Sequence, residues 1–309
     1  MNNYQHRSVM PVEVLAALQP RAGGRFADLT LGGVGHAAEL LRVSAPDGWL
    51  YGSDCDAAAL AAAGERLAEF AGRFELRQAN FAELAGWIPA GSCDGVLLDL
   101  GVSSPQLDQA ERGFSFQAEG PLDMRMDPRQ GRTAADWVNR ETPETLAKIF
   151  WQFGDEQDAR RIARAIECER TVRRIATTTQ LAALVERLNP RRGRRTHPAT
   201  RVFQALRIAV NDELGALRLG LAAALAVLKP GGRLAVITFH SLEDRLVKQF
   251  GNERARDYTF DGEVDVPELR RPKRPELRWV SRKAILPGAA ELVENPRSRS
   301  AQLRVLEKL

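Results

Sequence analysis

GRFADLTLGGVGHAAELL, residues Gly24–Leu41, is the stretch on which the fold turns. Arg25–Thr30 reads as a short buried strand, Leu31–Gly35 as a glycine loop and His36–Leu41 as the opening of a helix. A strand, a tight turn and a helix N-terminus in succession make a cradle for part of a nucleotide-like ligand. Gly32, Gly33 and Gly35 can take positive φ and let the backbone approach such a ligand closely. An ordinary strand-to-helix turn would also use glycine, so the rest of the chain must decide.

Downstream, the same alternation repeats. Trp49–Gly52 reads as a second strand ending in Ser53–Asp54, and Asp54 lies about twenty residues beyond the loop, where a carboxylate can take both ribose hydroxyls of a nucleoside. Asp56 is the better N-cap for the alanine-rich helix Asp56–Phe70, which leaves Asp54 for the ligand. Phe74–Gln78 is the third strand. Phe81 at its end serves either as a stacking surface for a base or as core. Ser92–Leu100, SCDGVLLDL, is continuously apolar, which indicates a parallel strand buried on both faces, and Asp99 sits at its carboxyl end. The sheet resumes in LKPGGRLAVITFHS, with a turn at Gly231–Gly232, a fifth strand Arg233–Phe239, and His240 and Ser241 at its end, then a helix Leu242–Phe250. Trp279–Leu286 and Ala301–Glu307 read as a closing antiparallel pair around a turn segment, Pro287–Ser300, with a polar loop Asn252–Pro275 before them.

Between the fourth and fifth strands the pattern changes. After the loop Gly101–Pro128 the periodicity is helical: Thr133 caps Ala134–Asn139, Pro143 opens Glu144–Phe153, and Asp155–Arg174, Thr178–Leu188 and Ala199–Leu228 follow. The expected organisation is a sheet domain in two parts, 1–103 and 215–309, with a helical, substrate-binding insertion at 104–214. At the other end, Val9, Val12, Leu15 and Leu18 follow Tyr4, His6, Arg7 and Ser8 as the apolar face of a first helix.

Composition narrows the partners. The 309 residues carry a net charge of +4. Arg191, Arg192, Arg194 and Arg195 crowd together ahead of His197 and Arg201, and Arg270, Arg271, Lys273, Arg274 and Arg278 form a second group. Arginines this close repel one another without a counter-charge, so the first group is a candidate polyanion site. No apolar run approaches the roughly 18 residues of a membrane span, and the first residues lack the layout of a signal peptide. Cys55, Cys93 and Cys168 are widely spaced, as reduced cytoplasmic thiols would be. Four histidines without an HxxxH pair argue against a metal.

Loop, Asp54 and Asp99 fit an adenosine-containing cofactor. Gly33–Ala38 formally satisfies the dinucleotide fingerprint G-x-G-x-x-A, which keeps a nicotinamide oxidoreductase open. Against it, nothing downstream offers a hydride-transfer acid. S-adenosylmethionine, lacking phosphate, would need the loop only for close approach.

Longer motifs carry a resemblance. DLGVSSPQLDQAERGFSF (Asp99–Phe116), GPLDMRMDP (Gly120–Pro128), HPATRVFQALRIAVN (His197–Asn211), FHSLEDR (Phe239–Arg245) and ENPRSRSAQLR (Glu294–Arg304) make the chain similar, from about Tyr4 to Arg304, to the RsmH (MraW) family. These are bacterial methyltransferases acting on the N4 amine of a cytidine in the decoding centre of 16S ribosomal RNA. The resemblance implies an α/β class I (Rossmann-like) methyltransferase sheet with an inserted all-helical domain, S-adenosylmethionine as cofactor, and the small ribosomal subunit as partner. It places cofactor contacts at Val34, Gly35, His36, Asp54, Phe81, Asp99 and Gln106. The family commonly has glycine where this chain has Val34, so a contact there is made through the backbone.

Cytosine N4 is a poor nucleophile because its lone pair is delocalised into the ring. A group accepting an N4 proton would localise that pair as the new bond forms. Asp99, Ser103 and Ser104 are the candidate acceptors; Phe114, Phe116 or His240 could stack on the base, and His240 could equally be a structural hydrogen bond at a strand end. RNA is expected along Arg191, Arg192, Arg194, Arg195 and Arg201, with the face at Arg270–Arg278. A homodimer is compatible with all of this, and so is a non-catalytic ribosome-assembly protein on the same fold.

Overall fold

A computed structural model describes residues 8–84, 86–190, 196–260 and 265–309. The chain divides into two compact units, residues 1–101 with 214–309, and residues 102–213.

The first unit is built on a seven-stranded sheet. Its strands are β1 (Arg25–Asp28), β2 (Trp49–Asp54), β3 (Phe74–Gln78), β4 (Cys93–Asp99), β5 (Leu228–Thr238), then β6 (Tyr258–Phe260) and β7 (Arg270–Pro272), which pair as a separate hairpin, and β8 (Leu277–Trp279) and β9 (Gln302–Lys308). The order is β3-β2-β1-β4-β5-β9-β8; β3 to β5 are parallel, and β9 runs antiparallel between β5 and β8. The winding reverses between β1 and β4, and open α/β sheets place ligands outside the carboxyl ends of the strands at such a switch point.

Helices cover both faces. Leu97, Ala235 and Ile237 point to one core, with Met10, Val14, Leu40 and Leu41 from the helices α1 (Pro11–Leu18) and α2 (Gly35–Val43). Val96, Leu98, Leu234 and Val236 point to the other. Successive residues of β4 are therefore buried on opposite sides, which is why its sequence is continuously apolar. α3 (Ala57–Arg66) begins at Asp56, whose carboxylate accepts from the Ala58 N–H at 3.0 Å.

The second unit holds five successive helices after a short α4 (Ser104–Asp108): α5 (Ala134–Arg140), α6 (Pro143–Gly154), α7 (Ala159–Val172), α8 (Thr178–Leu188) and α9 (Thr200–Asn211). Phe150, Ile162, Ile166, Leu181 and Leu206 are fully buried in its own core. Thr133, Thr142 and Thr177 cap α5, α6 and α8 through their hydroxyls.

Several expectations are corrected. Val12 is exposed, because Pro11 sets the phase of α1 so that Val14, Ala17 and Leu18 face inward. The stretch 199–228 is two helices, α9 and α10 (Glu213–Val227), broken where Asp212 takes a left-handed conformation, φ 44°. α7 starts four residues later than expected, because Asp155, also left-handed, closes α6. β5 starts at Leu228 rather than Arg233, paired to Cys93 across an irregularity in register. The loop 252–275 contains the end of α11 (Ser241–Ala255) and the β6–β7 hairpin. The strand expected over 279–286 ends at Trp279, leaving one bridge from Ile285 to Leu303, and the segment 287–300 contains a helix, α12 (Ala289–Glu294).

Candidate active site

The glycine loop joins β1 to α2. Leu31 N–H donates to Ser53 O at 3.1 Å and Val34 N–H to Leu31 O at 2.6 Å, which folds the loop back on itself. Gly32 has φ 45° and Val34 φ 71°. A β-branched residue is rarely left-handed, and Val34 is held there by burial of its side chain, 2% exposed. It can offer a ligand only its backbone. Gly35 opens α2, and a Cβ on it would lie 2.2 Å from Ser8 Oγ. A side chain there requires the Ser8 hydroxyl to move.

Three polar groups converge beside this turn. Asp28 ends β1 and is 1% exposed; Asp99 ends β4; His36 is in the first turn of α2 and is 6% exposed. His36 Nε2 lies 3.6 Å from Asp99 Oδ2, an ion-pair separation too long for a hydrogen bond. Asp28 Oδ1 accepts from Thr30 N–H at 3.2 Å, and Thr30 Oγ1 accepts from Asp99 N–H at 2.7 Å, so one residue ties the two strand ends together. Asp28 Oδ2, His36 Nε2 and Asp99 Oδ1 are all buried with no hydrogen-bond partner. Buried polar atoms are almost always paired, so three orphans in one place mark a site built for a polar or cationic ligand.

Burial pushes the Asp28 carboxyl up to about 6, against the opposing pull of His36 and the Thr30 N–H; Asp99 and Asp54 raise it further. Burial alone would depress His36, but the Asp99 carboxylate, with Asp28 behind it, outweighs that and raises the imidazole above its ordinary value. The sequence reading misses Asp28, although its signal is present: a carboxylate ending an apolar strand, as at Asp99.

Asp54 ends β2. Its Oδ2 accepts from Gly32 N–H at 2.9 Å and its Oδ1 from Asp56 N–H at 2.8 Å, and burial raises its pKa. The carboxylate thus fixes the glycine loop, and its two oxygens have more lone pairs than these two bonds use. Phe81 is half-buried against α10, where Gly220 leaves room for it: a Cβ there would lie 2.4 Å from the ring. His240 is the N-cap of α11, in a capping box with Glu243; its Nε2 is 3.2 Å from Glu243 Oε1. Ser103, Ser104 and Gln106 belong to the second unit, where Ser103 caps α4 and its N–H donates to Gln106 Oε1 at 3.0 Å. Phe116 packs there against His197 and Phe203, each with centroids 4.7 Å away. Arg201 donates to Asp155 O at 2.9 Å. Arg191, Arg192, Arg194 and Arg195, like Tyr4, His6 and Arg7, lie outside the described residues.

Five parallel strands closed by an antiparallel β9, with a glycine loop at the switch point, are not the two parallel mononucleotide halves of a nicotinamide fold. They define a class I methyltransferase, whose methyl donor is S-adenosylmethionine. The model of the MraW methylase family matches residues 3–309, and the chain belongs to that family. The nicotinamide alternative is thereby overturned. The ribosomal RNA small subunit methyltransferase H of Syntrophotalea carbinolica is 51% identical over 99% of this chain and 98% of its own, and that of Symbiobacterium thermophilum 50% identical over 99% and 97%. Among solved structures, an rRNA methylase from Streptococcus thermophilus aligns over 98% of both chains at 11% identity with a TM-score of 0.43, too distant a likeness to carry an argument. No helix among the described residues is long and apolar enough to cross a membrane.

Proposed function

We propose that this chain transfers a methyl group from S-adenosylmethionine to the exocyclic N4 amine of a cytidine in 16S ribosomal RNA of the small subunit, in the cytoplasm. The relatives named above are small-subunit rRNA methyltransferases, and the observation that carries the chemistry is the buried, unpartnered Oδ1 of Asp99.

The residues fit the cofactor. Asp54 would hold the ribose hydroxyls, the backbone of Val34, Gly35 and His36 would line its approach, Phe81 would flank the adenine, and Gln106 would close the set. When bound, S-adenosylmethionine supplies a methyl on a sulfonium, whose leaving thioether is neutral and requires no acid. The protein's task is then to orient the amine in line, which can supply much of the acceleration, and to receive a proton. Asp99 Oδ1 has the free lone pair for that proton as the N4–carbon bond forms, while His36 holds the other oxygen electrostatically. Ser103 and Ser104 are the alternative acceptors. The target base must be splayed out of its stack to enter such a site, and the arginines at 191–201 would hold the flanking backbone.

The test is to supply labelled S-adenosylmethionine to undermodified small subunits and map the labelled nucleotide. Label on a cytidine N4 with wild type, and none with Asp54→Ala, supports the proposal and excludes a non-catalytic assembly role. Asp99→Ala with normal cofactor affinity and normal turnover would remove Asp99 as acceptor.

A further inference from the structure

The helical unit carries a cleft that the proposed catalytic residues do not account for. It has a volume of about 310 Å3 and lies where the end of α7 meets the first turn of α8. Arg173, Arg174 and Arg187 line it with Glu169, Thr179 and Gln180. The arginines are exposed, and although Glu119 accepts from the Thr179 hydroxyl at the cleft wall, at 3.1 Å, the ion pairs leave one guanidinium over. Arg187 pairs with Glu169 at 3.0 Å. Arg174 lies 3.6 Å from Asp136, but that carboxylate also faces Arg140 at 3.5 Å and accepts from Thr133. Arg173 has no ion-pair partner among the described residues. Behind the guanidiniums stands the N-terminal turn of α8, whose dipole favours an anion. The floor is firm: Ile175 is buried, and its N–H and carbonyl are both held by Asn139, at 3.0 and 2.7 Å.

We infer that this cleft binds the sugar–phosphate backbone of the RNA substrate; this rests on the RNA reading above. Planar guanidiniums suit phosphate oxygens bidentately, and three arginines along one cleft read charge rather than base edges, which selects backbone over sequence. An anchor of this kind fixes the register of a long substrate without reading it.

The experiment compares full-length wild type, Arg173→Gln/Arg187→Gln, and Arg160→Gln/Arg164→Gln by fluorescence anisotropy, using a labelled small-subunit rRNA fragment across a salt series. The control pair removes the same charge from exposed positions on α7 that are unpaired among the described residues, about 7 to 14 Å along the helix from Glu169 at the cleft's near edge. The expected result is a loss of about tenfold in affinity for the cleft variant, with the slope of log affinity against log salt shallower by about 1 to 2, and a change within about twofold for the control. S-adenosylmethionine affinity by calorimetry should be unchanged in both, which shows that they are folded. Weakening of the wild-type complex by millimolar inorganic phosphate as strongly as by single-stranded RNA competitor would point to a small-anion site and overturn the inference. A cleft variant no weaker than the control overturns the cleft alone. A wild type that binds no RNA overturns the RNA reading and the cleft with it.

Discussion

Asp28→Asn should abolish a pH dependence of stability that the wild type carries. Asp28 is buried, and its pKa is about 6 against an ordinary 3.8. A carboxyl whose pKa is higher folded than unfolded binds its proton more tightly in the native state. The stability from that proton is complete below about pH 4 and is lost as pH rises through 6. A difference of this size corresponds to about 3 kcal/mol. Asparagine is neutral throughout and keeps an oxygen for the Thr30 N–H, so the variant has no such loss. The difference in unfolding free energy, variant minus wild type, should therefore grow by about 2.4 kcal/mol between pH 4 and pH 8.

His36 adds to this in the same direction. Its raised pKa gives stability that is present below its ordinary 6.5 and lost as pH rises through the folded value. Removing the Asp28 charge lowers that pKa, so the variant has less to lose. Urea unfolding at fixed pH values reads the effect as a change of about 1 M in midpoint at a slope of about 3 kcal/mol/M. Carboxylates remote from Asp28 titrate identically in both proteins and cancel. Wild-type and variant curves that run parallel from pH 4 to 8 would refute the buried, shifted carboxyl and its coupling to His36.

Gly35→Ala places a methyl 2.2 Å from Ser8 Oγ. It should destabilise by about 1–3 kcal/mol and weaken S-adenosylmethionine binding by calorimetry, and Ser8→Gly in the same chain should restore most of both. Val34→Gly removes left-handed strain of about 1–2 kcal/mol but forfeits about 2–3 kcal/mol of buried isopropyl and adds glycine entropy of about 0.5–1 kcal/mol. Thermal unfolding should thus show a modest net loss, and a gain would mean that strain outweighs packing at Val34. Arg304→Met leaves the buried Asp244 with the half-exposed Lys248, 3.1 Å away, as its remaining ion-pair partner among the described residues and should cost about 2–3 kcal/mol in chemical unfolding, most of it recovered by Arg304→Met/Asp244→Leu.

What could be read from the sequence was whatever one segment determines by itself. The apolar run of β4, the cap at Asp56, the threonine cap at Thr133 and the proline opening α6 are local decisions, and the structure has them. Features set by distant partners could not be read. β6 and β7 are three residues each and exist through pairing across a hairpin, with Arg270 lying 4.2 Å from the Tyr258 ring centroid. The break at Asp212 is a choice between continuing a helix and taking a left-handed turn, which an Asn–Asp pair permits without requiring. Asp28 was hidden for another reason. Read as the middle of a strand, its carboxylate is an anomaly; read as the strand's last residue, it matches Asp99 on the neighbouring strand, which lies two residues beyond Leu97, the residue Asp28 pairs with.

The motifs that carry the family resemblance are longer than any reaction centre requires, and the structure gives a physical account of the excess. Asp244 of FHSLEDR is bonded to Arg304 of ENPRSRSAQLR, with Arg304 Nε 2.6 Å from Asp244 Oδ1 and both side chains under a tenth exposed. Asn211, ending HPATRVFQALRIAVN, accepts from Met126 N–H and donates to Met124 O, both at 2.8 Å, within GPLDMRMDP. Glu291 accepts from Met10 N–H at 2.7 Å, fixing the start of α1 close to Ser8 and Gly35. Each tie satisfies a polar group that burial would otherwise penalise, and breaking one leaves its partner stranded. A reaction that depends on in-line approach loses rate steeply with small displacements of the orienting groups. The Arg304–Asp244 and Glu291–Met10 ties hold the unit that carries Asp28, Asp54 and Asp99, and the Asn211 tie holds the helical unit; all three act on geometry rather than on the methyl group.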